Sequence, residues 1–155
     1  MKRFFAAFLL FFCCFAFCSC SSTQAPRDIT SVEAEVSVGN IEYTLQADKT
    51  DDGSIIVTAI SPQNVSGISY CYEDDALTVA YGELKCMTDR TFLPKHAVAG
   101  CLCDAIAALP AAQFEKSEDG TNIFISGDGR FLYQSTDTQI TQITDQKYGY
   151  SFSLK

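Results

Sequence analysis

The sequence predicts an α+β fold: a curved antiparallel β-sheet of about nine strands with one main helix, packed on the concave face or across its opening. Three observations predict it. Apolar and polar residues alternate in short runs, the runs are separated by turns rich in Gly, Asp and Asn, and one stretch switches to helical spacing. Hairpins in series plus a helix that must bury one face make a meander of the α+β class.

The strands follow in order. From Thr30 to Val38, Val32, Ala34, Val36 and Val38 share one face, and Glu33, Glu35 and Ser37 the other. Gly39-Asn40 supplies a two-residue turn, and Ile41, Tyr43, Leu45 and Ala47 continue the alternation as the second arm of a hairpin. Asp48 to Gly53 is a polar turn, Ile55 to Ile60 a third strand ended by Ser61-Pro62, and Ile68 to Glu73 a fourth. A turn at Asp74-Asp75 would pair Tyr72 with Leu77, Tyr70 with Val79 and Ile68 with Tyr81 on one face, with Cys71 opposite Thr78 on the other. Beyond Tyr81 the phase breaks: Leu84 and Cys86 point outward unless Gly82 marks a bulge.

Lys95 to Leu109 reads as the helix. Val98, Leu102, Ala105 and Leu109 form a stripe, flanked by Cys101 and Ile106, and Leu109-Pro110 ends it, because the residue before proline is pushed out of the helical region. Asn122–Ser126, Phe131–Ser135, Gln139–Thr144 and Tyr148–Leu154 are the remaining strands, with turns at Asp119-Gly120 and Asp128-Gly129.

The N-terminus reads differently. Lys2 and Arg3 precede an unbroken apolar run from Phe4 to Cys18, and Ser19 stands before Cys20. Basic start, apolar core and small residue at the cut form the pattern of a secretory signal. A cysteine directly after the cut predicts a lipoprotein, with residues 1–19 as signal peptide, Cys20 as the lipidated residue, 20–28 as a polar tether and 29–155 as one β-rich domain. Lipoprotein signals carry a small residue before the cysteine, and of Cys13, Cys14, Cys18 and Cys20 only Cys20 has one. Phe17 and Cys18 depart from the usual Leu and small residue at their positions. An uncleaved anchor and an ordinary cleaved signal are the alternatives, but a membrane span needs about 20 apolar residues. Several acyl chains, palmitate among them, would fix the protein to the extracytoplasmic face of a bacterial cell membrane.

Composition limits the partners. Without Lys2 and Arg3, nine basic residues stand against 19 acidic ones, a net charge near −10. Phosphate contacts to nucleic acid need clustered Lys and Arg, and the sequence contains no such run.

The order of parts resembles the LolA-like lipoprotein-carrier superfamily. The resemblance covers roughly Thr30 to Leu154 and rests on Ser61-Pro62-x-x-Val65-x-Gly67-Ile68-Ser69-Tyr70, Asp75-x-Leu77-Thr78-Val79-x-Tyr81, a Pro-led helix and the closing Tyr148-x-Tyr150-x-Phe152. It implies an incomplete β-barrel whose concave face is plugged by helices and, in several members, encloses a cavity for acyl chains. Membrane-anchored members occur in monoderm and mycobacterial envelopes, and one branch acts in spore germination. Carried onto this chain, the ligand-binding candidates are Ile68, Tyr70, Tyr72, Leu77, Val79 and Tyr81 from the sheet, with Val98, Leu102 and Leu109 from the helix. Carriers usually open with an amphipathic helix, whereas here Asp28 runs straight into strand pattern. That departure implies an open groove or a filled interior.

Residues for covalent chemistry are sparse. His96 is the only histidine, and on a helix Cys103 would lie two turns, about 10 Å, away, too far for proton transfer. His96 therefore reads as a solvent-facing residue at the helix start. Cys101 and Cys103 point about 200° apart on a helix and cannot share a metal ion; Cys101 is expected buried beside the stripe and Cys103 exposed opposite it. If the strand runs on past Tyr81, Cys86 lies roughly 25 Å beyond Cys71, too far for a disulfide. Pairings through the helix stay open, Cys86–Cys101 first, as does a fully reduced state. Asp48–Gly53 lacks the acids of a calcium loop and reads as a strand turn.

The expected function is thus non-catalytic, without cofactor or metal. The leading reading is a lipid-anchored extracytoplasmic lipoprotein that binds an apolar ligand, a lipid or a lipidated partner, on the concave face. The alternative is a scaffold that docks a cell-envelope or spore-germination enzyme.

Overall fold

Alternation along each strand fixes which face is buried, and register then carries that face across the sheet. The computed structural model describes residues 26, 28–73 and 76–155; the predicted signal, Cys20 and the Asp74-Asp75 turn lie outside the described residues. The strands are β1 (Ser31–Val38), β2 (Ile41–Lys49), β3 (Ile55–Ser61), β4 (Ile68–Glu73), β5 (Ala76–Tyr81) and β6 (Leu84–Asp89), then β7 (Gln113–Glu118), β8 (Thr121–Ile125), β9 (Phe131–Thr136), β10 (Gln139–Asp145) and β11 (Tyr150–Leu154). They form one antiparallel sheet in the order β6-β5-β4-β3-β2-β1-β11-β10-β9-β8-β7. The sheet is open: β6 and β7 are its two edges, and β1 pairs with β11 at its middle through Ala34 with Leu154 and Val36 with Phe152.

The predicted β4–β5 register is observed in full, with Tyr72 opposite Leu77, Tyr70 opposite Val79, Ile68 opposite Tyr81 and Cys71 opposite Thr78. The strand count is corrected from about nine to eleven. Both additional strands, β6 and β7, are edges with almost every residue exposed. With no buried face they leave no period-2 hydrophobic signal. Gly82 makes no bulge. It sits at φ 58° in a two-residue turn between Tyr81 and Leu84, and β6 folds back along β5. Cys86 therefore returns to lie opposite Val79, on the other face from Cys71, and does not continue away along the strand.

The helix, α1 (Val98–Ala108), is three residues shorter at its start than predicted, and Leu109–Ala111 continues as a 3₁₀ turn. Its chain segment leaves one sheet edge and enters the other, so it must cross the sheet. It packs on β2, β3 and β10, strands on both sides of the middle, and the sheet wraps around it. Ala99, Cys101, Leu102, Cys103, Ala105 and Ile106 are all buried. The expected exposure of Cys103 is thereby corrected: a wrapped helix is buried well beyond one stripe. Phe124, Phe131, Tyr133, Ile143 and Phe152 complete the core from the second half of the sheet. In β10 an irregularity between Ile140 and Gln142 lets Ile140 and Ile143, three residues apart, both face inward.

Leu102 has no exposed surface. Leu102→Ala should lower unfolding free energy by about 2–5 kcal/mol, whereas Leu84→Ala, on the exposed edge, should stay within about 0.5 kcal/mol of wild type. Urea denaturation of the two variants checks the contrast.

Candidate functional sites

Two surface sites flank the filled interior. The first is an apolar groove of about 490 Å³ at the turn end of the β5–β6 hairpin. Ile68, Val79, Tyr81, Leu84 and Cys86 line it, and register puts all five on one face. Gly67, at φ 85°, leads the chain into β4, and the Tyr81 ring lies against it. Leu84 is 75% exposed, and nearby along the edge Met87 and Phe92 are 77% and 78% exposed. Lys85 supplies a cation at the groove's rim.

Of the predicted ligand-binding residues, Ile68, Val79 and Tyr81 line this groove. Tyr70 and Val98 are half-buried against the core. Tyr72, Leu77, Leu102 and Leu109 are fully packed core residues that the structure brings together under α1. The inner part of the concave face is therefore closed by side chains, and the accessible apolar surface is displaced to the β6 edge.

The second site is a polar cavity of about 500 Å³ at the start of α1, lined in part by Arg90, Lys95, Gly100, Asp104, Arg130 and Lys147. Local turns build it. Between β8 and β9, Ser126 Oγ donates to Asp128 at 2.6 Å and accepts from the Phe131 N–H at 2.9 Å, and Gly129 takes φ 74°. That turn delivers Arg130. Its Nε and Nη2 donate to Asp145 Oδ2 at 3.2 and 2.8 Å, and its Nη1 donates to Asp104 Oδ2 at 2.8 Å. The guanidinium carbon stands 4.5 Å from the Phe131 ring centroid and 5.2 Å from that of Tyr148. Arg90, arriving from β6, pairs with the other oxygen of Asp104. One chain of charges thus ties the β6 end, α1, the β8–β9 turn and β10.

Asp145 has no exposed surface, and its partners satisfy it. Besides Arg130, the Lys147 and Tyr148 N–H groups donate to its Oδ1 at 2.9 and 3.2 Å. Burial would raise its pKa, but these hydrogen bonds more than offset that and hold the carboxyl below its ordinary range. For Arg130, burial acts downward and the Asp145 and Asp104 carboxylates reverse it, so its pKa is raised.

Among the described residues Cys71, Cys86, Cys101 and Cys103 are free thiols. Cys101 accepts a contact from Arg130 Nη2 at 3.4 Å, and burial first, then the Asp145 charge, pushes its pKa up to about 12. Burial likewise raises Cys103 to about 12. Both are therefore protonated and unreactive near neutrality. His96 is exposed just ahead of α1, as expected for a solvent-facing residue, and its carbonyl accepts from Tyr150 Oη at 2.8 Å. Asp52 serves the β2–β3 turn, accepting from Thr50 Oγ1 and the Ser54 N–H. Among the described residues no cluster of three or more His, Cys, Asp or Glu is placed to hold a metal, and no helix is long and apolar enough to cross a membrane.

The charge chain escapes sequence reading because Arg90, Asp104, Arg130 and Asp145 are 14, 26 and 15 residues apart in succession and form no motif. One signal was present: Asp145 follows Ile143 on the inward phase of its strand, where an acid must find a buried partner.

No protein-family model matches the chain, and no curated protein does. Among solved structures the chain is similar to the crystal structure of a LolA superfamily protein from Nitrosomonas europaea, at 12% identity, over 86% of this chain and 87% of that one, with a TM-score of 0.48. A likeness of that degree carries no argument about ligand; the sites rest on the side chains of this chain.

Asp145→Ala leaves Arg130 without its buried partner and should cost about 3–5 kcal/mol. Because the folded state holds this carboxyl below the ordinary value near 3.9, its contribution is complete above about pH 4 and fades as pH falls further. Urea denaturation across pH 2 to 6 should therefore show wild type losing more stability on acidification than Asp145→Ala.

Proposed function

We propose that the protein is a lipid-anchored, extracytoplasmic lipoprotein that binds an apolar ligand, a lipid or lipidated partner, without covalent chemistry. The observation that carries the binding reading is the open groove at Ile68, Val79, Tyr81 and Leu84, where apolar side chains of three strands converge on one exposed face. An acyl chain laid there gains about 0.8 kcal/mol for each CH₂ removed from water. An open groove suits a chain presented by a partner, since both ends stay accessible. The anchor reading is supported by residues 1–20: basic Lys2 and Arg3, the apolar run and Ser19 before Cys20.

A second reading, a scaffold that docks another envelope protein, is favoured by the packed interior and by exposed Met87 and Phe92 beside an unpaired strand edge. Such an edge can accept an added strand, with neighbouring side chains setting specificity.

Native mass spectrometry of residues 21–155, purified gently from a bacterial envelope fraction, separates the readings. The expected result is a co-purifying mass in the lipid range, lost in Tyr81→Asp and Leu84→Asp while circular dichroism stays native. An apo mass, together with capture of a protein that Met87→Asp and Phe92→Asp abolish, assigns the scaffold. In the full chain, Cys20→Ser should abolish palmitate incorporation and release the protein from the membrane fraction.

A further inference from the structure

We propose that the polar cavity at the start of α1 is a binding site for a phosphate group. This site is separate from the apolar groove, and no residue lines both.

The first argument is charge. In a chain with net charge −8, four of the eleven basic residues, Arg90, Lys95, Arg130 and Lys147, line this one cavity. Two carboxylates line it as well, and both are already engaged. Asp104 is shared between Arg90 and Arg130, and Asp89 accepts the Thr91 N–H at 2.8 Å. The internal network accounts for the two arginines. It does not account for Lys95 and Lys147, which are exposed and form no ion pair among the described residues. Arg90 donates to Asp104 through Nη2 alone, so most of its N–H fork is unspent.

The second argument is unspent donors beside the site. Tyr72 is 5% exposed, and its hydroxyl has no hydrogen-bond partner among the described residues. That hydroxyl ends 3.2 Å from where a Cβ on Gly100 would stand, and Gly100 lines the cavity. Gly100 is the first-turn residue of α1 that lines the cavity, and its N–H has no intrahelical partner. Ammonium and guanidinium donors around one concavity, with an orphan helix N–H at its wall, form the pattern that receives phosphate. At about 500 Å³ the cavity exceeds one inorganic anion, so the phosphate group can be free or part of a larger headgroup.

Isothermal titration of residues 21–155 tests this with two probes, inorganic phosphate and dihexanoyl phosphatidic acid below its micelle concentration, each against chloride at matched ionic strength. Binding of at least one probe is expected, weakened roughly tenfold or more in Lys95→Glu/Lys147→Glu, as two reversed charges near an anion require. These lysines are exposed, and an unchanged urea midpoint verifies the fold. Tighter binding of the lipid probe identifies a headgroup as the source; equal or tighter binding of inorganic phosphate identifies the free anion. No binding of either probe at millimolar concentration, chloride reproducing the signal, or equal affinity in the double lysine variant would overturn the proposal.

Discussion

Burial of the concave face under α1 is the interaction on which the rest of the structure depends. Nine of the eleven strands, all but the edges β6 and β7, present one continuous apolar face, and an open sheet cannot close on itself to hide it. The connection between β6 and β7 must cross from one edge to the other, so the chain's route and its need for burial have the same solution. Leu102, Ile106 and Leu109 fill the concavity from the helix side, and Tyr72, Leu77, Phe124, Tyr133 and Phe152 meet them from the sheet. Each large side chain so buried contributes roughly 1.5–3 kcal/mol. Pairing of β1 with β11 joins the two half-meanders under that helix.

Apolar packing alone would leave the helix free to slide or turn, and polar contacts settle its position. Tyr133 Oη donates to the Ala105 carbonyl at 2.7 Å, Tyr150 Oη to that of His96 at 2.8 Å, and Asp104 is held between Arg90 and Arg130. Buried ion pairs repay their desolvation only when every lone pair is used. Asp145 meets that condition with four donated hydrogen bonds. These groups act as position markers for the helix more than as sources of stability.

A filled interior moves recognition to the rim. The two sheet edges are treated differently: β7 carries Glu115, Lys116 and Glu118, charges that discourage strand addition, whereas β6 exposes Leu84 and Met87. The apolar groove and the cationic cavity lie toward opposite ends of β6, one beside Leu84 and the other beside Asp89. One edge strand thereby borders both candidate sites.

Local patterning by itself determined the strands that bury a face, the β4–β5 register and the helix ended near Pro110, because period-2 and period-3.6 alternation reports burial directly. It could not report β6 or β7, which bury nothing, nor the burial of Cys103, which depends on a sheet wrapping past the helix's apolar stripe. It placed Tyr72, Leu77, Leu102 and Leu109 on the inward face without distinguishing a cavity wall from a packed core, since both demand the same residues. Only the tertiary structure decided that the interior is full, that Gly82 turns the chain back on itself, and that Arg90, Asp104, Arg130 and Asp145 meet. The physical reason is the same in each case: alternation encodes which side of an element is dry, while the distance between two dry sides is set by how the whole sheet curves.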